Sequence, residues 1–205
     1  MLDKVNIAVV GATGAVGEVM LEILADRKVP AANVFPLASE RSLGKQVSFG
    51  NSSIDVDDLA TFDFSKVQIG LFSAGASVSE VYAHKAVAAG CVVIDNTSQF
   101  RYQENIPLVI SEVNPERIAD HVNTGIIANP NCSTMQMLVV LAPLHEKYKI
   151  KRLVISTYQS VSGTGVKAVQ QLDNEEAGIE GEMAYPHPIG RNALPHCDVF
   201  MENGY

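Results

Sequence analysis

Short apolar runs alternate with longer stretches of helical period along most of the chain, which is how βαβ units closing a parallel sheet look in sequence. Residues 5–10 read as a first strand, and residues 18–26, with Val19, Met20, Ile23 and Leu24 at helical spacing, as its helix. Pro30 breaks the pattern, and residues 34–38 predict a second strand. The polar, serine- and glycine-bearing stretch 40–58 predicts loops with a short edge hairpin. Residues 67–72, 91–94 and 125–128 are further buried strands, and an alanine-rich helix over 78–89 lies between the first two. The first 130 residues therefore predict one doubly wound, Rossmann-type α/β domain.

After Asn129-Pro130 the pattern changes. A helix is expected over 133–147, a long strand over 153–162 and a helix after Thr164. Residues 183–205, with Pro186, Pro188 and Pro195, are expected to be irregular. Residues 131–205 are thus taken as the beginning of a second, α+β domain, and no repeat or low-complexity tract interrupts either part.

Composition narrows the function. With 47% hydrophobic and 19% charged residues the chain is an ordinary globular protein, not a disordered one. The net charge of −8, from 15 Lys+Arg against 23 Asp+Glu, provides no basic field for nucleic acid or an anionic membrane. An anionic ligand must be held by a few placed cations. No run reaches the roughly 20 apolar residues of a membrane span, and nothing at the start resembles an export signal, so a cytoplasmic protein is expected. Cys91, Cys132 and Cys197 are odd in number and widely spaced, without a C-x-x-C pair or zinc spacing, which points to a reducing compartment and no structural metal.

Two places carry chemistry. Gly11, Gly14 and Gly17 form G-x-x-G-x-x-G between the first strand and its helix, where glycines let backbone N–H groups and a positive helix end approach a pyrophosphate. At the end of the second strand the chain reads Ser39-Glu40-Arg41-Ser42. Arg41 and Ser42 suit a 2′-phosphate and favour NADP, whereas Glu40 could serve the ribose of NAD, and a plain solvated turn is the third reading. The second place is Asn129-Pro130-Asn131-Cys132-Ser133-Thr134, where Asn131 caps a helix and Cys132 lies in its first turn, at the end whose dipole favours a thiolate. Taken alone, such a cysteine is as readily structural as catalytic. Beside a hydride carrier it suggests thioester chemistry. Cys91 opens an apolar strand and reads as core, and Cys197 has no assigned role.

Four runs together carry a family resemblance: V-G-A-T-G-A-V-G after the first strand, D-N-T-S-Q-F-R at 95–101, N-P-N-C-S-T at 129–134 and Q-S-V-S-G-T-G at 159–165. They resemble the aspartate-semialdehyde dehydrogenases, in register along the whole chain. N-acetylglutamyl-phosphate reductases are similar, but their motif has glycine where this chain has Asn131. A nucleotide-sensing Rossmann module with an inert Cys132 is the non-enzymatic alternative.

The resemblance implies that Cys132 attacks the β-acyl phosphate of aspartate, that Gln159 orients the acyl group, and that Arg101 and Asn131 hold the phosphate. It places the turn Thr13, Gly14, Ala15 and Val16 on the pyrophosphate of NADP and Arg41 and Ser42 on the adenosine phosphate. Ser73 would then lie near the adenosine, and Ser162 and Gly163 near the nicotinamide. Bland readings compete: Arg101 pairing Glu104 on the surface, Gln159 as strand polarity, Gly163 to Gly165 as a turn. The resemblance also implies a homodimer or homotetramer built on the second, catalytic and dimerisation domain. Members of the family are longer and take an acid/base histidine and a carboxylate-binding arginine from beyond position 205. None of His84, His121, His145, His187 and His196 matches that histidine, so a chain of this extent is expected to bind nucleotide weakly and to be catalytically incomplete.

Overall fold

The computed structural model describes residues 4–196 and residue 202, and the chain divides into two units, 1–153 and 154–205. In the first, the strands are β1 (Ile7–Val10), β2 (Val34–Ala38), β3 (Gln46–Phe49), β4 (Ser52–Asp55), β5 (Asp57–Asp58), β6 (Ile69–Phe72), β7 (Val92–Asp95) and β8 (Ile126–Ala128). Six of them form a parallel sheet in the order β5-β2-β1-β6-β7-β8, and β3 and β4 form the expected hairpin. The chain works outward from β1 through β2 to β5, then starts again at β6 and works outward the other way. The reversal point lies between β1 and β6, and it is at the carboxyl ends of the strands at such a point that doubly wound folds bind their ligands.

All four residues of β1 are buried because the strand is central and both its faces are covered. Alternation divides them between two cores. Ala8 and Val10 pack with Phe72, Val93, Phe100 and Ile126, while Ile7 and Val9 pack with Leu21, Leu24, Val47 and Phe49. Among the described residues three α-helices belong to this unit: α1 (Ala15–Asp26), α2 (Ala76–Ala88) and α3 (Cys132–Tyr148). The first begins three residues ahead of its expected start, because Gly14 at its N-cap is extended and the alanine, valine and glycine after it already turn helically.

The second unit contains α4 (Val166–Ala177), which is the helix expected after Thr164. The strand expected over 153–162 is not formed. Residues 153–160 carry no strand pairing, and Val154 and Tyr158 are 82% and 88% exposed. An alternating apolar run becomes a strand only beside a neighbour that satisfies its N–H and C=O groups, and these residues have none among those described. Residues 183–196 are irregular as expected, yet they are held. Gln171 of α4, 2% exposed, accepts from the amides of Ala184 (2.7 Å) and Tyr185 (2.9 Å) and donates to the carbonyl of His187 (3.1 Å). Glu175 accepts from Gln171 Nε2 and from the amides of Ile189 and Gly190 at 2.7–2.8 Å. Cys197 lies outside the described residues.

Candidate active site

The turn after β1 is folded back on itself. Gly11 has φ +91°, and a Cβ there would stand 2.9 Å from the Ala74 amide nitrogen, while a Cβ on Gly17 would overlap the Gly11 carbonyl oxygen. The N–H groups of Gly11 and Ala12 both donate to Leu37 O, which ties the turn to the end of β2. Ser73 N donates to Val10 O at 2.9 Å, so the loop after β6 meets the same turn. Gly14 supplies no side-chain cap to α1. The amides of the first helical turn therefore point out uncapped among the described residues, the arrangement that receives a phosphate.

Ser42 closes this region from the β2 side. Its hydroxyl is 3.5 Å from Thr13 Oγ1, and the residue is largely buried, on a single helical turn (Glu40–Ser42) directly after β2. Arg41 and Glu40 on that turn are exposed. The structure thus gathers Thr13, the three glycines, Ser42 and Ser73 at one sheet edge, as a dinucleotide would need.

Farther along the edge, Asn131 caps α3. Its Oδ1 accepts from Ser133 N (2.9 Å) and Thr134 N (3.4 Å), which leaves the Cys132 N–H without a protein acceptor among the described residues. Cys132 is exposed at the first position of this 17-residue helix, and its thiol is free. Cys91 is its opposite: 2% exposed against Gly70, with burial pushing the thiol up to about 11.

Arg101 does not pair Glu104. Its Nε donates to Asn129 O (2.9 Å) and its Nη2 to Asn96 O (3.1 Å), so the guanidinium is tied to the loops after β7 and β8. The remaining N–H groups, including both on Nη1, have no protein acceptor among the described residues. A half-buried cation held only by neutral carbonyls retains its charge for an anion. An open depression of about 550 Å³ lies beside it, lined by Arg101, Tyr102, Gln103, Glu104, Asn114 and Arg117 among others. In the second unit, Gly163 lies against Gln159, where a Cβ would meet Nε2 at 2.6 Å, and Ser162 Oγ donates to Ser160 Oγ at 3.1 Å. All three of these predicted residues are exposed.

The model of the family described as "Semialdehyde dehydrogenase, NAD binding domain" matches residues 6–121, more than half of the chain. The chain belongs to the semialdehyde dehydrogenase family. A second model, "Semialdehyde dehydrogenase, dimerisation domain", matches residues 141–205. The whole chain is 53% identical to the aspartate-semialdehyde dehydrogenase of Shewanella violacea and spans 62% of that protein. Its fold is similar to the crystal structure of aspartate semialdehyde dehydrogenase II of Vibrio cholerae complexed with ASA, with a TM-score of 0.89 and 48% identity, covering 98% of this chain and 61% of that one. The Candida albicans enzyme, solved with NADP, is 27% identical with a TM-score of 0.62, over 83% of this chain and 55% of that one.

One residue of this family member was not singled out from the sequence. Asp95, at the end of β7, is fully buried, with its carboxylate accepting from Ser79 Oγ and Thr97 Oγ1, both at 2.7 Å. The available signal was an acidic residue closing an apolar strand and followed two positions later by threonine, a pair that can fold into a local turn.

Proposed function

We propose that the protein carrying this chain is an aspartate-semialdehyde dehydrogenase that reduces L-aspartyl 4-phosphate to L-aspartate 4-semialdehyde with NADPH. This step serves the biosynthesis of lysine, threonine, methionine and diaminopimelate. The observation that carries the reading is the exposed Cys132 at the start of α3, on the same sheet edge as the uncapped glycine turn and the carboxylate-free Arg101.

The Cys132 sulfur attacks the acyl carbon and phosphate leaves, giving a thioester on the protein. The Cys132 N–H is the donor to the oxyanion of that addition, since the Asn131 side chain already occupies the next two amides. Arg101 grips the phosphoryl oxygens with its free N–H groups, assisted by the Asn131 amide nitrogen. Gln159 orients the acyl group, with Gly163 allowing the close approach that its glutamine packing requires. Thr13, Gly14, Ala15 and Val16 receive the pyrophosphate, Arg41 and Ser42 the 2′-phosphate, Ser73 the adenosine, and Ser162 with Gly163 the nicotinamide. NADPH, when bound, supplies the hydride that reduces the thioester to the aldehyde. A homodimer or homotetramer is proposed as the assembly, in keeping with the family description of residues 141–205.

Replacing Cys132 with alanine tests the reading. Product formation should fall by about 10⁴-fold or more, the scale on which loss of a covalent nucleophile is felt, with the Kd for NADPH essentially unchanged. Turnover by Cys132→Ala at a comparable rate overturns it.

A further inference from the structure

Asp95 is a buried carboxylate that the proposed chemistry does not use, and its contacts reach both arms of the site. Its side chain accepts from Thr97 Oγ1 (2.7 Å) and Thr97 N (3.3 Å), which bends the chain sharply around Asn96, and from Ser79 Oγ of α2 (2.7 Å). Thr97 Oγ1 in turn accepts from Gln99 N at 3.2 Å, carrying the same turn on toward Arg101. The carbonyl exposed by this bend, Asn96 O, is one of the two that hold the Arg101 guanidinium. The other, Asn129 O, belongs to a residue whose own amide donates to the Asp95 carbonyl at 2.8 Å. Both anchors of Arg101 are therefore fixed by the one residue, through its side chain on the β7 loop and through its main chain on the β8 loop that leads to Cys132.

We infer that Asp95 is a positioning residue for the anion grip: by fixing the Asn96 turn it aims the free N–H edge of Arg101 at the phosphate group. The inference rests on the reading of Arg101 as the phosphate-holding residue and adds a second layer to it. A guanidinium bonded only to carbonyls has no charge partner to steer it, so its direction is set by where those carbonyls stand. Misplacing a binding group by about 1 Å costs up to about 10²-fold in an oriented reaction, so a loosened Asn96 turn should be read out mainly as weaker phosphate binding.

The experiment is steady-state kinetics in the phosphorylating direction on the enzyme that carries this chain, with inorganic phosphate as the varied substrate. Asp95→Asn and Thr97→Val should each raise the KM for phosphate about tenfold, with the KM for NADP and the saturated kcat changed less than about twofold, and Thr97→Ser should restore the parent value. Calorimetric titration with inorganic phosphate should show the same loss and the same rescue without any turnover. If Asp95→Asn does not fold, the threonine pair decides alone, since Thr97→Val removes the hydroxyl that the carboxylate grips without removing the carboxylate. An unchanged phosphate KM in Thr97→Val, or an equal fall of kcat and of NADP affinity in both variants, overturns the positioning role. Arg101→Lys separates the two layers. A raised phosphate KM there with none in the Asp95 and Thr97 variants sinks only this inference, whereas an unchanged phosphate KM in Arg101→Lys sinks the reading of Arg101 and this inference with it.

Discussion

The two units of this chain are ordered by different physics. In the first, strands buried on both faces place Val, Ile, Leu and Phe side chains in two continuous cores, and the fold follows from apolar area removed from water. In the second, Ala168 is the one buried apolar side chain among the described residues, and a buried glutamine with a carboxylate beside it fastens residues 184–190 to α4. Hydrophobic burial is non-directional and legible as period in a sequence. A polar clamp is directional, and whether a given Gln or Glu becomes one depends on what the chain brings to it from 13 to 16 residues away.

The sharpest way to break this contrast is to damage each unit in its own currency. Phe72→Ala removes a fully buried ring from the first core and should lower global stability by about 3–5 kcal/mol, measurable by denaturant unfolding. A loss near zero would mean that the sheet is not what holds the first unit. Gln171→Leu keeps the volume but leaves the amides of Ala184 and Tyr185 and the carbonyl of His187 without partners, a local cost of about 1–3 kcal/mol. Hydrogen exchange should accelerate at 184–185 while the amides of β1 stay protected, and equal acceleration in β1 would erase the distinction.

Acid should act on the same clamp. The Gly190 amide above all, with Gln171 and the Ile189 amide, lowers the Glu175 pKa in the folded chain, so its contribution is present above the unfolded carboxylate pKa and is lost as the pH falls through the lowered folded value. Exchange at Ile189 and Gly190, corrected for intrinsic rates, should therefore rise on acidification, and Glu175→Gln should remove that dependence. The smallest effect is expected at Val154, which is mostly solvent-facing: its replacement by alanine should shift stability by no more than about 0.5 kcal/mol.

The same division explains what could be read in advance. Residues 34–38 are a strand with the expected bounds, and the hairpin between 40 and 58 is where turn residues put it, because these elements are fixed by local pattern and by burial. The helix opened by Cys132 and capped by Asn131 was legible for the same reason, since a cap is a short-range bond between neighbours. The failure over 153–162 marks the limit: alternation shows that a segment could pair, but the partner is a fact about another part of a fold. Asp95 was illegible for a related reason, because its importance comes from Ser79, 16 positions earlier, and from a loop whose bend only the assembled sheet reveals. The crowding of residues into the site was visible only as far as the resemblance carried it.

Steric freedom is distributed unequally across the nucleotide edge. Gly17 has no room for even a methyl group, whereas Arg41 is exposed on the turn directly after β2. Under the roles proposed for these two positions, evolution or an engineer retuning which coenzyme is accepted would find one position open to drift and the other frozen, so that coenzyme choice could diverge among descendants while the glycine turn stays the same.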